Sequence, residues 1–168
     1  MQGNIFKSSM IYGLMMGILF SVNFIISIPQ GNVFRIISFL ITIVIVVVMY
    51  RYSVKFRDTE CGGYITYGKS FSFIVLTFFF ASIISAIVKF VYFQFINPEY
   101  LTNVLQQSIK VVESMNLPLD EKYYTQMEKM MKPSVYTLQS IWVNVLLGVL
   151  LALVMSAFVK KDKDIFEE

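Results

Sequence analysis

Histidine is absent from this 168-residue chain. Its absence removes the commonest general base, the usual transition-metal ligand and the side chain that titrates near neutral pH. Cysteine occurs once, as Cys61, so the chain cannot form an internal disulfide scaffold. Charge is scarce as well: 15% of residues are charged, against about 25% in soluble domains. Low charge combined with high apolar content also excludes a disordered chain. The net charge of +3 is modest, and nothing in the pattern calls for nucleic acid, a metal or a cofactor. What the chain does contain is apolar: 57% hydrophobic residues, with 16 Phe, 10 Tyr and one Trp, and a mean hydropathy of +0.67. A water-soluble fold of this size cannot cover that much apolar surface, because a good part of any small fold stays exposed. The chain therefore reads as an all-α integral membrane protein.

Hydropathy predicts four transmembrane helices, at about 9–28, 33–50, 67–96 and 134–159, in one domain covering 1–168. Each is long enough for a hydrocarbon core of about 30 Å, which takes roughly 20 helical residues. Pro29-Gln30-Gly31-Asn32 forms a tight turn after the first. That turn, and the lack of a small-x-small cleavage site, argue against a signal peptide. The runs do not alternate every second residue, as the strands of a membrane barrel would. Eight basic residues, Lys7, Arg51, Lys55, Arg57, Lys69, Lys160, Lys161 and Lys163, fall in short segments on one side. Arg35, Lys110, Lys122, Lys129 and Lys132 fall on the other. The positive-inside rule then places both termini and the 51–66 loop in the cytoplasm.

Residues 97–133 form the largest segment outside the spans and read as an extracytoplasmic helical hairpin. Asn97-Pro98-Glu99 supplies an N-cap, a proline at the first helical position and an acid in the first turn. Leu101, Val104, Leu105, Ile109 and Val112 recur at helical spacing. Asn116-Leu117-Pro118 breaks the chain, Asp120-Glu121 start a second helix with Tyr123, Met127, Met130 and Met131 on one side, and Pro133 ends it. The apolar stripes are expected to face each other or the membrane surface, with the Met-rich one as an alternative partner surface.

Three sets of residues are candidates for function. Small residues at helical spacing mark helix packing: Gly13 and Gly17 on the first span, Ser82 and Ser85 (with Ala81 and Ala86) on the third, Gly148 and Ala152 (with Ser156) on the fourth. The second span is almost wholly β-branched from Ile41 to Val48, which suits a face turned to lipid or to another subunit. The basic loop offers Arg57, Gly62, Gly63, Tyr64, Tyr67 and Lys69 for contact with lipid headgroups or a cytoplasmic partner. Gly62-Gly63 is expected to take positive φ in a tight turn, and Gly68 to admit a neighbouring helix. Gly68-Lys69-Ser70 lacks the rest of a phosphate-binding loop. Asn23, Lys89 and Gln139 fall at a similar outer depth and form a candidate polar layer. Lys89 lies about 33 Å along its helix, so snorkelling to the outer headgroups is the favoured alternative.

The stretches 56–71, 95–100 and 127–133 resemble a family of small four-helix membrane proteins common in the Bacteroidetes, catalogued as a domain of unknown function, number 4199. The Gly-containing stretch from Phe56 to Phe71 is the most specific. The resemblance implies four helices, the inner membrane of a Gram-negative host and no assigned catalytic residues. It also implies a loose association with polyprenol-phosphate glycosyltransferases. The expected function is a non-catalytic accessory or anchoring subunit, with the bilayer and another membrane protein, or a second copy, as partners. A small oligomeric transporter or channel is the alternative, weakened by spans without carboxylates. A membrane enzyme is disfavoured, because it would have to be built from Asp58, Glu60, Cys61, Tyr64 and Lys69.

Overall fold

The computed structural model describes residues 4–29, 31–115 and 120–163. Among the described residues six helices follow one another: α1 (Ile5–Ser27), α2 (Asn32–Glu60), α3 (Tyr67–Val91), α4 (Glu99–Ser114), α5 (Glu121–Met130) and α6 (Pro133–Val159). A π-helical turn, Tyr92–Ile96, continues α3. Among the described residues there is no strand, only one isolated antiparallel bridge between Ile65 and Lys161. Four helical stretches are long and apolar enough to cross a bilayer: Ile5–Ser27, Asn32–Glu60, Tyr67–Ile96 and Pro133–Val159. The chain is a multi-pass helical membrane protein. Gln30 in the first turn and the Asn116-Leu117-Pro118 break lie outside the described residues.

The chain divides into two compact units, Met1–Ser85 with Trp142–Glu168, and Ala86–Ile141. In the first, α1 and α2 run antiparallel. The Ser8 hydroxyl near the start of α1 donates to the Glu60 carboxylate at the end of α2. At the other end Ser38 donates to Asn23 Oδ1 at 2.8 Å, and Asn23 Nδ2 donates to Thr42 at 3.3 Å. Against α3, α1 runs parallel, its Gly13 facing Phe80 and its Gly17 facing Ile84. A Cβ built on Gly13 would lie 2.6 Å from Phe80 Cβ, and one on Gly17 2.7 Å from Ile84 Cβ. On α6, a Cβ at Gly148 would lie 2.6 Å from Phe78 Cβ. Ala81, Ser82, Ala152 and Ser156 are fully buried and Ser85 nearly so. The burial is uneven: 44% of the most apolar window of the third span is buried, against 11% in α2. α3 is the helix the others pack on, and α2 is the peripheral one. Gly68 behaves differently from the other helical glycines, since a Cβ there meets nothing within 4 Å. It admits no neighbouring helix.

α2 stays helical for ten residues beyond its apolar stretch. Residues 51–60 contain no Gly or Pro to stop it, and two of them face inward: Ser53 and Phe56 are buried. Phe56 stacks on Phe73 with ring centres 4.2 Å apart, and Tyr12 meets the same Phe73 edge-on at 5.6 Å. Tyr52 closes the group at 4.9 Å from Tyr12. The first unit thus has an aromatic core at its basic end, beyond the apolar stretch of α2.

The second unit is organised around Phe93, which is 1% exposed. Tyr100 stacks on it at 5.5 Å and Tyr136 meets it edge-on at 5.3 Å. Burial holds the Tyr100 hydroxyl above its ordinary pKa, with Tyr136 and Tyr92 adding to the rise. The amide nitrogen of Asn97 donates to the Tyr92 hydroxyl at 3.2 Å, and α4 begins without a side-chain cap. The expected Asn97 cap is therefore replaced, because the π turn carries Asn97 back over Tyr92: the Asn97 N–H bonds to the Tyr92 carbonyl at 2.8 Å. α4 touches both the π turn and α5. Leu101 is buried, whereas Tyr123 and Met130 are exposed.

The glycine contacts generate a prediction. Gly13→Ala and Gly17→Ala, each forcing a Cβ against a Cβ, are expected to destabilise the protein in detergent by about 1–3 kcal/mol, the cost of overpacking. Gly68→Ala should leave the melting temperature unchanged or raise it. A Gly13→Ala protein as stable as the parent would show that α1 does not approach α3 this closely.

Candidate functional site

The loop between α2 and α3 is the most distinctive stretch of sequence, and the structure builds it into a clasp joining three helix ends. It starts where α2 stops. Gly62 and Gly63 take φ of 72° and 87°, the left-handed region that costs other residues roughly 1–2 kcal/mol. No atom lies within 4 Å of a Cβ at either position, so these glycines serve backbone conformation and not close approach. The Gly63 N–H turns back to the Arg57 carbonyl at 3.0 Å. Two residues later Ile65 pairs with Lys161 through both backbone hydrogen bonds, at 3.0 and 3.1 Å. Ile65 is buried in the core. Thr66 then starts α3, its hydroxyl accepting the Lys69 N–H at 3.3 Å.

Side chains reinforce the clasp on each side. Arg57 donates through Nε to Asp58 at 2.8 Å and through a terminal nitrogen to the Val159 carbonyl at 3.2 Å. The latter contact sets a cation on a terminal carbonyl of α6, where the helix dipole favours it. Three residues on, Glu60 accepts the Ser8 hydroxyl in the opening turns of α1. A carboxylate is favoured at that end of a helix for the same reason. The last turn of α2 therefore presents a cation to one helix C-terminus and an anion to one N-terminus. Tyr67 donates its hydroxyl to the Leu153 carbonyl of α6 at 2.9 Å, and Lys161 lies over the Tyr64 ring, 5.6 Å from its centre. Lys160 pairs with Asp162 at 2.9 Å.

Arg57, Gly62, Gly63, Tyr64, Tyr67 and Lys69 thus sit together at one end of the first unit. Arg57 touches the α6 end, Tyr64 the segment after it and Tyr67 the α6 backbone at Leu153, well inside the helix, and Lys69 contributes its backbone to the start of α3. The residues an enzyme would have to use are dispersed in role: Asp58 pairs with Arg57, Glu60 with Ser8, and Cys61 is a half-buried free thiol. Among the described residues no three His, Cys, Asp or Glu side chains cluster as a metal site. Of the residues considered for an outer polar layer, Asn23 bonds to Ser38 and Thr42 of α2. Lys89 lies in the last turn of α3 and Gln139 in the second turn of α6. Sequence reasoning missed Ser8, Ser38 and Thr42. Their only signal was a hydroxyl on an otherwise apolar or interfacial helix.

Fold and clasp together define a small multi-pass helical membrane protein whose polar residues tie helix ends. The family follows from comparison: the model of a family described as a protein of unknown function, DUF4199, matches residues 10–161, and the chain belongs to it. The match covers the 61–66 loop, Arg57, Glu60 and Lys161, and nearly all of the four spans, and starts just after Ser8. No curated protein and no solved structure matches the chain.

The loop geometry is testable by replacing its glycines. Gly62→Ala and Gly63→Ala should each lower stability by roughly 1–2 kcal/mol in thermal unfolding, although the space around them is open. Gly62→Asn should retain most of that stability, because asparagine tolerates left-handed backbone. Equal stability of the Ala and Gly proteins would contradict the turn.

Proposed function

We propose that the protein is a non-catalytic accessory or anchoring subunit of a membrane complex. In this reading it lies in a bacterial inner membrane, with the clasped basic end facing the cytoplasm. The observation that carries the reading is how the polar side chains flanking the loop, at the end of α2 and the start of α3, are used. Arg57, Glu60 and Tyr67 are bound to the ends and backbone of neighbouring helices. General acid–base work requires groups converging on a space where a reacting atom can sit, and these groups diverge onto two different helices, Arg57 and Tyr67 onto α6 and Glu60 onto α1. They act as ties.

The flanks supply surface for association within the bilayer. α6 exposes Leu146, Leu147, Leu150, Leu153 and Val154 at about half or more of their area. Where lipid offers no hydrophobic force between helices, such a face associates through shape and van der Waals packing. A carrier reading draws less support, because the membrane-crossing stretches hold almost no carboxylate: only Asp58 and Glu60 occur in the four helices, both in the last turn of α2. The family resemblance brings polyprenol-phosphate glycosyltransferases forward as the first partner class to look for.

The test is gentle extraction from the native membrane in mild detergent, followed by size-exclusion chromatography and identification of what co-elutes. One membrane protein retained in stoichiometric amount is expected. A monodisperse lone chain, with no protein adduct after crosslinking in the intact membrane, would overturn the proposal.

A further inference from the structure

The strongest unassigned feature lies on the exposed face of α2, beside the clasp. A shallow groove there is lined by Tyr50, Arg51, Val54, Lys55 and the Arg57–Asp58 pair. Arg51 and Lys55 are exposed and stand one turn apart, about 6 Å along the axis. Among the described residues neither forms an ion pair. The one acid in the groove, Asp58, is held by Arg57 at 2.8 Å, so it does not neutralise them. Both cations sit where the apolar stretch of α2 ends.

The helix period adds the second half. Leu40, Ile43, Val44 and Val47 occupy the same face of α2 as Arg51 and Lys55, and all four are exposed. One helix face thus carries an apolar stripe that runs directly into two exposed cations. Tyr50, 42% exposed, flanks the junction with the amphipathic ring favoured at membrane interfaces. A soluble anion would find a use for the cations and none for the stripe; a neutral lipid would find the reverse. The geometry points to a binding site for one anionic phospholipid, its phosphate held between Arg51 and Lys55 and one acyl chain lying along Leu40, Ile43, Val44 and Val47. The site goes beyond the role proposed above and does not depend on it.

The experiment uses the full chain in zwitterionic detergent, titrated with phosphatidylglycerol, phosphatidylcholine or inorganic phosphate, with bound lipid counted by native mass spectrometry. Phosphatidylglycerol should bind in preference to phosphatidylcholine. The Arg51→Gln/Lys55→Gln protein should bind it about thirtyfold more weakly, and the charge-preserving Arg51→Lys/Lys55→Arg protein should bind as the parent does. Lys7→Gln/Lys160→Gln, which removes two cations elsewhere at the same end, should also bind as the parent does. All the altered side chains are on the surface, and an unchanged melting temperature confirms folding. Three results would each overturn the site: equal affinity for the two lipids, equal loss in the two charge-removing variants, or displacement of phosphatidylglycerol by millimolar inorganic phosphate.

Discussion

The first unit depends on how near the backbone of α3 comes to its neighbours. Lipid is as apolar as any side chain, so helices in a bilayer gain nothing by hiding leucine and must gain by fitting together. Here the fit is made at Gly13 and Gly17 on α1 and at Gly148 on α6, each too close to α3 for a Cβ. Buried Ser82 and Ala81 on α3 and Ala152 and Ser156 on α6 keep the surfaces small. Three helices are thereby joined through van der Waals contact along their apolar lengths.

α2 is held differently. Little of its apolar face is buried, so packing alone holds it weakly. Polar contacts at its two ends compensate. At one end Ser38 and Thr42 bond with Asn23 of α1, and at the other Glu60 takes the Ser8 hydroxyl while Arg57 reaches the end of α6. The stacked Phe56 and Phe73 lie between these last ties and the bilayer-embedded part. That arrangement leaves the outer face of α2 free along its length, which is where the apolar stripe and the Arg51–Lys55 pair lie. The clasp and the proposed lipid site are two consequences of one peripheral helix.

Much of this was legible in the residues, and the remainder follows a pattern. The four membrane-crossing helices were readable because a run of about twenty apolar residues suits the hydrocarbon core of a bilayer and little else. Gly13, Gly17 and Gly148 stood out through their spacing with other small residues. Gly68 looked similar and meets nothing, because a glycine records permission for close approach and not the presence of a neighbour. The extension of α2 to Glu60 was hidden from hydropathy, which reports where the bilayer ends and not where the helix does. Asn97 carried the signature of an N-cap, yet the π turn before it redirected its side chain to Tyr92. The clasp itself was the least readable part. Ile65 and Lys161 are 96 positions apart, and no local pattern announces a pair of backbone hydrogen bonds between them.

The 61–66 loop is a clasp fixed to the segment that follows α6. Amide hydrogen exchange, read residue by residue in lipid nanodiscs, tests it most directly. The Ile65 and Lys161 amides should exchange much more slowly than that of Gly62, and both should quicken together in an Arg57→Ala protein. Exchange of Ile65 and Lys161 at the rate of an unprotected loop amide would contradict the clasp.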